Sequence, residues 1–474
     1  MKFPSTGKAW PCSKAATCAA WAILVFASGS TIAQRQTQAA STDLESKFQE
    51  AMAAQDHGDL ERAKSILIAL RRGHPGIFAV DESLGLIYVA QQQYGDALPL
   101  LQAAVREQSS SDVAHVNLGA DLFKLQRNQE ALEEYTAAAR LNPKNPTTQQ
   151  GLGELLLDAG KPERAAQAFS MALEGKASDA DLELDLATAL VASKSFDKAF
   201  DVLNEIPGTD NSADAQVLFG QIEEAKGRPV EAARRFDRAV KLEPSEANVW
   251  LLGVEFLRHW TFEPAIKEFV AATSAFPQSK RMLLGLGTAY FGDGKYAESV
   301  PVFASLLKDD PDNALYAELL GMSCTTVLQE ARSQCGSLIA YAKSHPRDAK
   351  ASAYATASVL QGVPTEEELR VADGLLRNAI AANPKQPDAR YQMGLLKQAR
   401  GDWVGSISDL EKAVALKPDL AGAHYHLSLA DWRSGRKQQA QEEMQLYQKY
   451  SKQEKDNLAQ RRHQIAVLLI DAHN

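Results

Sequence analysis

Glycine recurs in this chain at an almost constant interval. Gly85, Gly119 and Gly153 stand 34 residues apart, and Gly220, Gly253, Gly287 and Gly321 follow at spacings of 33, 34 and 34. A chain that is self-similar at this period builds one supersecondary unit many times over, and no unit of that size can bury its apolar face alone. Other marks keep the same register. Twelve residues after the glycine stands a small residue (Ala97, Ala131, Ala165, Ala232, Ala265), and four further on a large apolar one (Leu101, Tyr135, Phe169, Phe236, Phe269). Eight residues beyond that, proline closes several units, at Pro143, Pro244, Pro277 and Pro311.

Within a unit the apolar residues form two stripes of helical period separated by a short polar break. Residues 280–313 show the pattern. Leu283, Leu286, Gly287 and Tyr290 share one face of a first helix, and Gly292-Asp293-Gly294 interrupts it. Val302, Phe303, Leu306 and Leu307 line a second helix, which Asp309-Asp310-Pro311 stops. Small residues at Gly287 and Ser299 let the two helices approach closely.

These marks resemble the tetratricopeptide repeat, whose pattern is L-G-x-x-Y, then A-x-x-x-F, then P. Leu84-Gly85 with Tyr88, and Leu286-Gly287 with Tyr290, match the first part; Ala232 with Phe236 and Pro244, and Ala265 with Phe269 and Pro277, match the rest. The early tryptophan of the pattern is absent, and Trp250 stands one place late. The resemblance implies an all-α fold, a right-handed superhelical solenoid of about twelve helix-turn-helix units between Leu44 and Ser451. Residues 452–474 read as a C-terminal capping helix and tail, apolar towards the array. Three units depart from the pattern. The one from Ala180 has Ala187 in place of glycine and ends early at Ile206-Pro207-Gly208, and those from Ala314 and Ala349 have longer turns, the latter at GVPTEEELR.

The first 33 residues read as an export signal. Lys2, Lys8 and Lys14 form a basic lead without acids, an apolar run follows from Ala15 to Phe26, and Thr31-Ile32-Ala33 makes a cleavage site before Gln34. The run is too short to span a bilayer as a helix. An uncleaved anchor is the alternative. Residues 34–43 read as a polar linker, with Thr42 or Asp43 capping the first helix. Export implies a periplasmic or secreted protein, with no membrane span once the signal is removed. Cys12 and Cys18 belong to the signal, leaving Cys324 and Cys335, which an oxidising compartment permits to pair. They lie at similar distances from an intervening turn and so can face each other across one hairpin. The alternative is two buried apolar thiols.

The whole chain carries a net charge of −9, and the body without its basic lead is more acidic still. An acidic surface repels phosphate backbones, which argues against nucleic acid as a partner. Gly285-Leu286-Gly287 lacks the third glycine of a dinucleotide loop, and Gly292-Asp293-Gly294-Lys295 lacks the remaining marks of a phosphate loop. His424 and His426 fall about 200° apart on a helix and cannot share one ion. His57, His74, His115, His259 and His345 are scattered, and no catalytic triad is legible. The acidic runs Glu366-Glu367-Glu368 and Glu442-Glu443 read as solvated faces. Arg461-Arg462-His463, with Lys449, Lys452 and Lys455, reads as a solvated face or a contact for an anionic partner. The expectation is a protein with no cofactor, no metal and no catalytic activity.

Three functional classes are compatible with the sequence: a binding scaffold of the cell envelope, a non-catalytic accessory subunit of an envelope enzyme or assembly complex, and catalysis inside the repeat array. The first fits the sequence best. The family resemblance places certain first-helix positions, at fixed offsets from the repeat glycine, on a concave face. Those positions are Trp250, Val254 and Arg258; Leu284, Thr288 and Phe291; and Tyr391, Tyr425, Trp432 and Arg433. Aromatic side chains beside arginine are the usual composition of a binding hot spot. The lysine-and-asparagine clamp by which some family members hold a terminal carboxylate is absent at the matching positions. The expected ligand is an extended peptide segment with apolar side chains.

Overall fold

A computed structural model describes the backbone from Thr31 to Asp471, except residues 175–178 and 327–332, and side chains between Asp43 and Glu454. Residues 1–30, most of the expected export signal, lie outside the described residues. Among the described residues there are twenty-four α-helices and no strand. They fall into two compact units, divided between Ala225 and Lys226.

The N-terminal unit comprises α1 (Thr31–Asp56), α2 (Leu60–Gly73), α3 (Phe78–Ala90), α4 (Tyr94–Glu107), α5 (Asp112–Lys124), α6 (Asn128–Leu141), α7 (Pro146–Asp158), α8 (Pro162–Glu174), α9 (Ala180–Ala192), α10 (Phe196–Glu205) and α11 (Ala213–Ala225). The C-terminal unit comprises α12 (Pro229–Leu242), α13 (Glu246–Arg258), α14 (Phe262–Ala275), α15 (Lys280–Gly292), α16 (Tyr296–Asp309), α17 (Ala314–Cys324), α18 (Gly336–Ser344), α19 (Ala349–Leu360), α20 (Glu366–Ala382), α21 (Pro387–Ala399), α22 (Trp403–Leu416), α23 (Ala421–Arg433) and α24 (Lys437–Asp471). In each unit the helices pair as hairpins, and each hairpin packs on the next in chain order. This is the solenoid that the 34-residue period demands.

The boundaries follow from local chemistry. Ser111, Asn145, Ser245, Ser279 and Asn313 cap first helices by accepting a bond from a backbone N–H of the first turn. Such caps satisfy donors that the helix itself cannot. Second helices end two residues before Pro143, Pro244, Pro277 and Pro311, because proline disfavours helical geometry in the residue before it. The turn between the two helices of a hairpin uses one left-handed residue, seven places after the repeat's small residue. Glycine fills it at Gly160, Gly227, Gly294, Gly401 and Gly435, whereas Gln92, Gln126, Lys194 and Trp260 hold φ near +60° without being glycine.

The core lies between the two helices of each hairpin and between successive hairpins. Ala131, Tyr135, Ala165, Phe169, Ala265 and Phe269 are all fully buried. Each large ring rests on a glycine. A Cβ on Gly119 would come within 2.8 Å of Tyr135, and one on Gly287 within 2.5 Å of Phe303. Gly285, read above as a fragment of a nucleotide motif, is small because Phe269 of the preceding hairpin presses against its backbone.

Two expected boundaries are corrected. Residues 34–43 are not a linker: α1 already runs through them from Thr31, and neither Thr42 nor Asp43 caps it. The stretch contains neither glycine nor proline, so nothing in it stops a helix. No separate cap begins at residue 452 either. Helix α24 is continuous over 35 residues, serving first as the partner of α23 and then extending beyond it. The acidic run Glu366-Glu367-Glu368, read above as a solvated face, is the first turn of α20, where Glu368 and Thr365 form the reciprocal capping box of a T-x-x-E signature.

Cys324, on α17, and Cys335, immediately before α18, are joined by a disulfide with their Cα atoms 6.2 Å apart. Both are buried in the core cluster formed by Leu320, Leu338 and Tyr341.

Candidate functional site

The residues singled out from the sequence all lie in the C-terminal unit, on α13, α15, α21 and α23. They occupy matching places in successive first helices, three before and one, four or five after the small residue. The face they form is apolar and aromatic, with arginine at its edges.

The structure divides this set. Trp250, Val254, Leu284, Thr288 and Phe291, expected to be open to solvent, are only 2%, 4%, 2%, 3% and 7% exposed. Trp250 sits 5.9 Å from the Phe269 ring and carries the Arg281 guanidinium 4.5 Å from its own ring centre. Burial of that guanidinium lowers its pKa. Phe291 meets Tyr296 edge-on at 5.2 Å. Helix α24, far along the chain, also packs against both α13 and α15. In the N-terminal unit the equivalent Glu82, Leu86, Gln150, Glu154, Leu184 and Thr188 are half-buried, whereas Val116, at the place of Trp250, is buried. Arg258 is half-buried and reaches Glu255 at 3.4 Å.

At the other end of the C-terminal unit the face is open. Trp432 is 59% exposed and Tyr425 36%. The Arg433 guanidinium lies 4.0 Å from the centre of the Trp403 ring, and Lys437 lies 5.9 Å from that of Trp432. Tyr425 is flanked by Tyr447 at 5.1 Å and by His426 at 5.2 Å. Tyr391 is half-buried, with its hydroxyl pushed up to about 12 by burial and, secondarily, by the Glu454 carboxylate. The result is a surface of exposed rings and positive charge, able to hold apolar side chains and acidic groups of a polypeptide.

His424 and His426 diverge as their spacing requires. His424 bridges the Glu443 carboxylate at 2.5 Å and the Pro418 carbonyl at 2.8 Å. His115, at the same repeat position, bridges Glu134 at 2.6 Å and the Ser109 carbonyl at 3.1 Å. Both tie a first helix to its partner helix and to the preceding loop. His426 faces Gln398 at 2.9 Å, and burial lowers its pKa to about 4.

One feature escaped the sequence reading. The corresponding face of the N-terminal unit is acidic. Glu82, held by Asn117 at 3.0 Å, and Glu154 both have raised pKa values, chiefly through burial; Glu154 reaches about 7 with Asp185 and Asp158 adding to the effect. These carboxylates are separated by one or two repeats, so no acidic run marks them. Only the repeat register collects them. Among the described residues no helix is long and apolar enough to cross a membrane.

Comparison with known proteins agrees with this architecture. A tetratricopeptide repeat family model matches residues 48–113, 116–181 and 252–314, and a second one matches residues 156–222. Human superkiller complex protein 3 is 22% identical over 271 residues, covering 55% of this chain and 17% of that protein. Human protein O-mannosyl-transferase TMTC3 is 27% identical over 214 residues, covering 42% of this chain and 23% of that one. The chain thus spans less than a quarter of the length of either relative. Among solved structures, a tetratricopeptide repeat protein from Parabacteroides merdae aligns with a TM-score of 0.38 at 20% identity, over 52% of this chain and 98% of that one. PilF from Pseudomonas aeruginosa aligns with a TM-score of 0.36 at 18% identity, over 44% and 95%. With the repeat register, the stacked hairpins and the matched models in agreement, the chain belongs to the tetratricopeptide repeat family.

Proposed function

We propose that this protein is a scaffold of the cell envelope that binds a polypeptide partner on the inner face of its first helices. Proteins with these repeats generally mediate protein–protein interactions. The observation that carries the reading is the open surface on α23 and its neighbours. Trp432 and Tyr425 are exposed there, and Arg433 stacks on Trp403. Large rings held at the surface beside arginine gain more from desolvation by a partner than from solvent. An extended segment with apolar side chains suits a surface whose anchors repeat from one first helix to the next. The reading assigns the chain no catalytic role.

The envelope assignment is supported by the basic and apolar N-terminal sequence and by the disulfide, which fits an oxidising compartment. On this reading the exported chain begins at Gln34, and intact mass spectrometry of envelope material tests it; a chain that still carries residues 1–33 would overturn the cleavage.

The test of binding is capture from the native envelope, compared between wild type and Trp432→Ala. Trp432 lies at the surface, so the variant keeps its helicity while partner capture weakens by about 2 kcal/mol, roughly thirtyfold. A folded variant that captures the same partner at full strength would place the binding surface elsewhere.

A further inference from the structure

Asp431 stands on α23 three residues after Ser428, the small residue of the last repeat. Tyr88, Leu122, Leu156 and Tyr290 hold that place in other units. Leu122 and Leu156 are buried there, and Asp431 is no less buried, at 1% exposure. A carboxylate taken out of water costs free energy unless a charged or hydrogen-bonding partner compensates. For Asp431 the compensation is incomplete. Arg436 Nε lies 3.1 Å from its Oδ1, but the N–H is poorly aligned, and that oxygen has no hydrogen-bond partner among the described residues. The same guanidinium is shared with Glu411, to which Nη2 donates at 3.1 Å. Burial pushes the Asp431 carboxyl up, Arg436 pulls it down, and the Glu411 and Glu443 carboxylates add to the rise.

Asp431 also borders a cavity. Helices α22 and α24, the second helices of successive hairpins, both pack on α23. Between them opens a cleft of about 330 Å³ with Asp431 in its lining, a volume within the range of small-ligand sites. Leu427, buried, and Val414 and Leu446, half-buried, give it apolar walls. Glu411, Glu442 and Glu443 line it as well, so four carboxylates meet one guanidinium there. Glu443 is engaged with His424. Glu442 is exposed and accepts from the neutral Gln438 amide at 3.1 Å.

We infer that the cleft between α22 and α24 is a binding site for an aliphatic ammonium group, its head drawn to Asp431 and the carboxylates of α24 and its methylene stem laid against Val414, Leu427 and Leu446. Such a group supplies the positive charge that the acids lack and covers the apolar walls, as the stems of lysine side chains do elsewhere on proteins. An inorganic cation would use the carboxylates and leave those walls wet. A lysine side chain of a polypeptide and a free polyamine share this chemistry. The inference goes beyond the scaffold reading and does not depend on it, since Tyr425, Trp432 and Arg433 do not line the cleft.

Isothermal titration calorimetry on the full chain tests it with two probes, spermidine and the tripeptide acetyl-Ala-Lys-Ala-amide. The same tripeptide with norleucine in place of lysine keeps the stem and lacks the charge. At least one amine should bind saturably, and the norleucine peptide should bind about tenfold more weakly than the lysine peptide, or not at all. Asp431→Asn should weaken amine binding by about tenfold, and Glu442→Gln, at an exposed side chain, by about threefold. Tighter binding of spermidine assigns the site to a free polyamine, and tighter binding of the tripeptide to a lysine of a partner chain. If Asp431→Asn loses helicity by circular dichroism, Glu442→Gln decides the question alone. Saturable binding of neither amine, equal binding of the norleucine peptide, or full-strength binding to the folded variants would overturn the inference. Partner capture through Trp432 is read separately, so either result can fail without the other.

Discussion

Gly153 and Phe169 lie sixteen residues apart, on α7 and α8, and the ring rests so close to the glycine backbone that a Cβ there would come within 2.6 Å of it. The same pairing recurs between Gly119 and Tyr135 and between Gly287 and Phe303. It sets how near the two helices of a hairpin stand. Gly153→Val should therefore destabilise the N-terminal unit by about 1–3 kcal/mol through overpacking, and Phe169→Ala by about 3–5 kcal/mol through the cavity it leaves. Urea denaturation measures both. A Gly153→Val variant as stable as wild type would show that the hairpin can open at no cost.

The left-handed turn residue offers the opposite change. Gln126 and Lys194 adopt φ of +61°, a conformation that costs a side-chain-bearing residue about 1–2 kcal/mol. Glycine removes that strain but loses more conformational freedom on folding. Gln126→Gly and Lys194→Gly should each stabilise the N-terminal unit by about 0.5 kcal/mol, and Gly160→Ala, at the matching turn, should destabilise it. A lower denaturation midpoint for both glycine variants would refute the account.

Acid should act on the two units in opposite senses. Burial holds His426 down at about 4. Between pH 6.5 and about 4 the unfolded chain binds a proton here that the folded chain does not. The C-terminal unit therefore loses stability as pH falls through that window, by roughly 2 kcal/mol for this group. Asp121 and Glu154, both pushed up to about 7 by burial, take up protons in the folded state first. Their contribution to the N-terminal unit improves as pH falls from 7 towards 4. Trp250, Trp260, Trp403 and Trp432 all belong to the C-terminal unit, so their fluorescence reports its unfolding separately from hydrogen exchange in the N-terminal unit. His426→Gln should flatten the fluorescence-detected pH dependence, and an unchanged slope would exclude this residue as its source.

Asp121 is fully buried, and neither of its carboxylate oxygens has a hydrogen-bond partner among the described residues. Replacing it with asparagine removes the cost of desolvating a charge and should raise stability at pH 8 by about 1–3 kcal/mol, with a smaller gain at pH 5, where the carboxyl is already protonated. A gain independent of pH would contradict that cause.

The disulfide closes a ring between residues 11 apart in sequence, which limits its contribution to about 2–3 kcal/mol. Reduction should lower the calorimetric Tm of the C-terminal unit by roughly 5 °C or more and leave the N-terminal unit unchanged. No shift on reduction would mean that the core around Leu320 and Leu338 holds this hairpin without the bond.

The sequence by itself determined the repeat, the hairpins and most of their packing, because those contacts are local. Gly153 meets Phe169 within one unit, and a 34-residue register carries the same geometry along the chain. Proline after the second helix and the small residue facing the large one act over a few turns, so periodicity alone reveals them. It also brought Cys324 and Cys335 within one hairpin. Tertiary structure decided what is open. Trp250 and Leu284 occupy the same register as Tyr391 and Tyr425, and nothing local separates them. They differ in what neighbouring helices bring: Trp250 meets the Phe269 ring and the Arg281 guanidinium, side chains supplied by α14 and α15 that its own register does not encode. The acidic character of Glu82 and Glu154 was hidden for a related reason: each stands alone in its own repeat, and only stacking gathers them on one face.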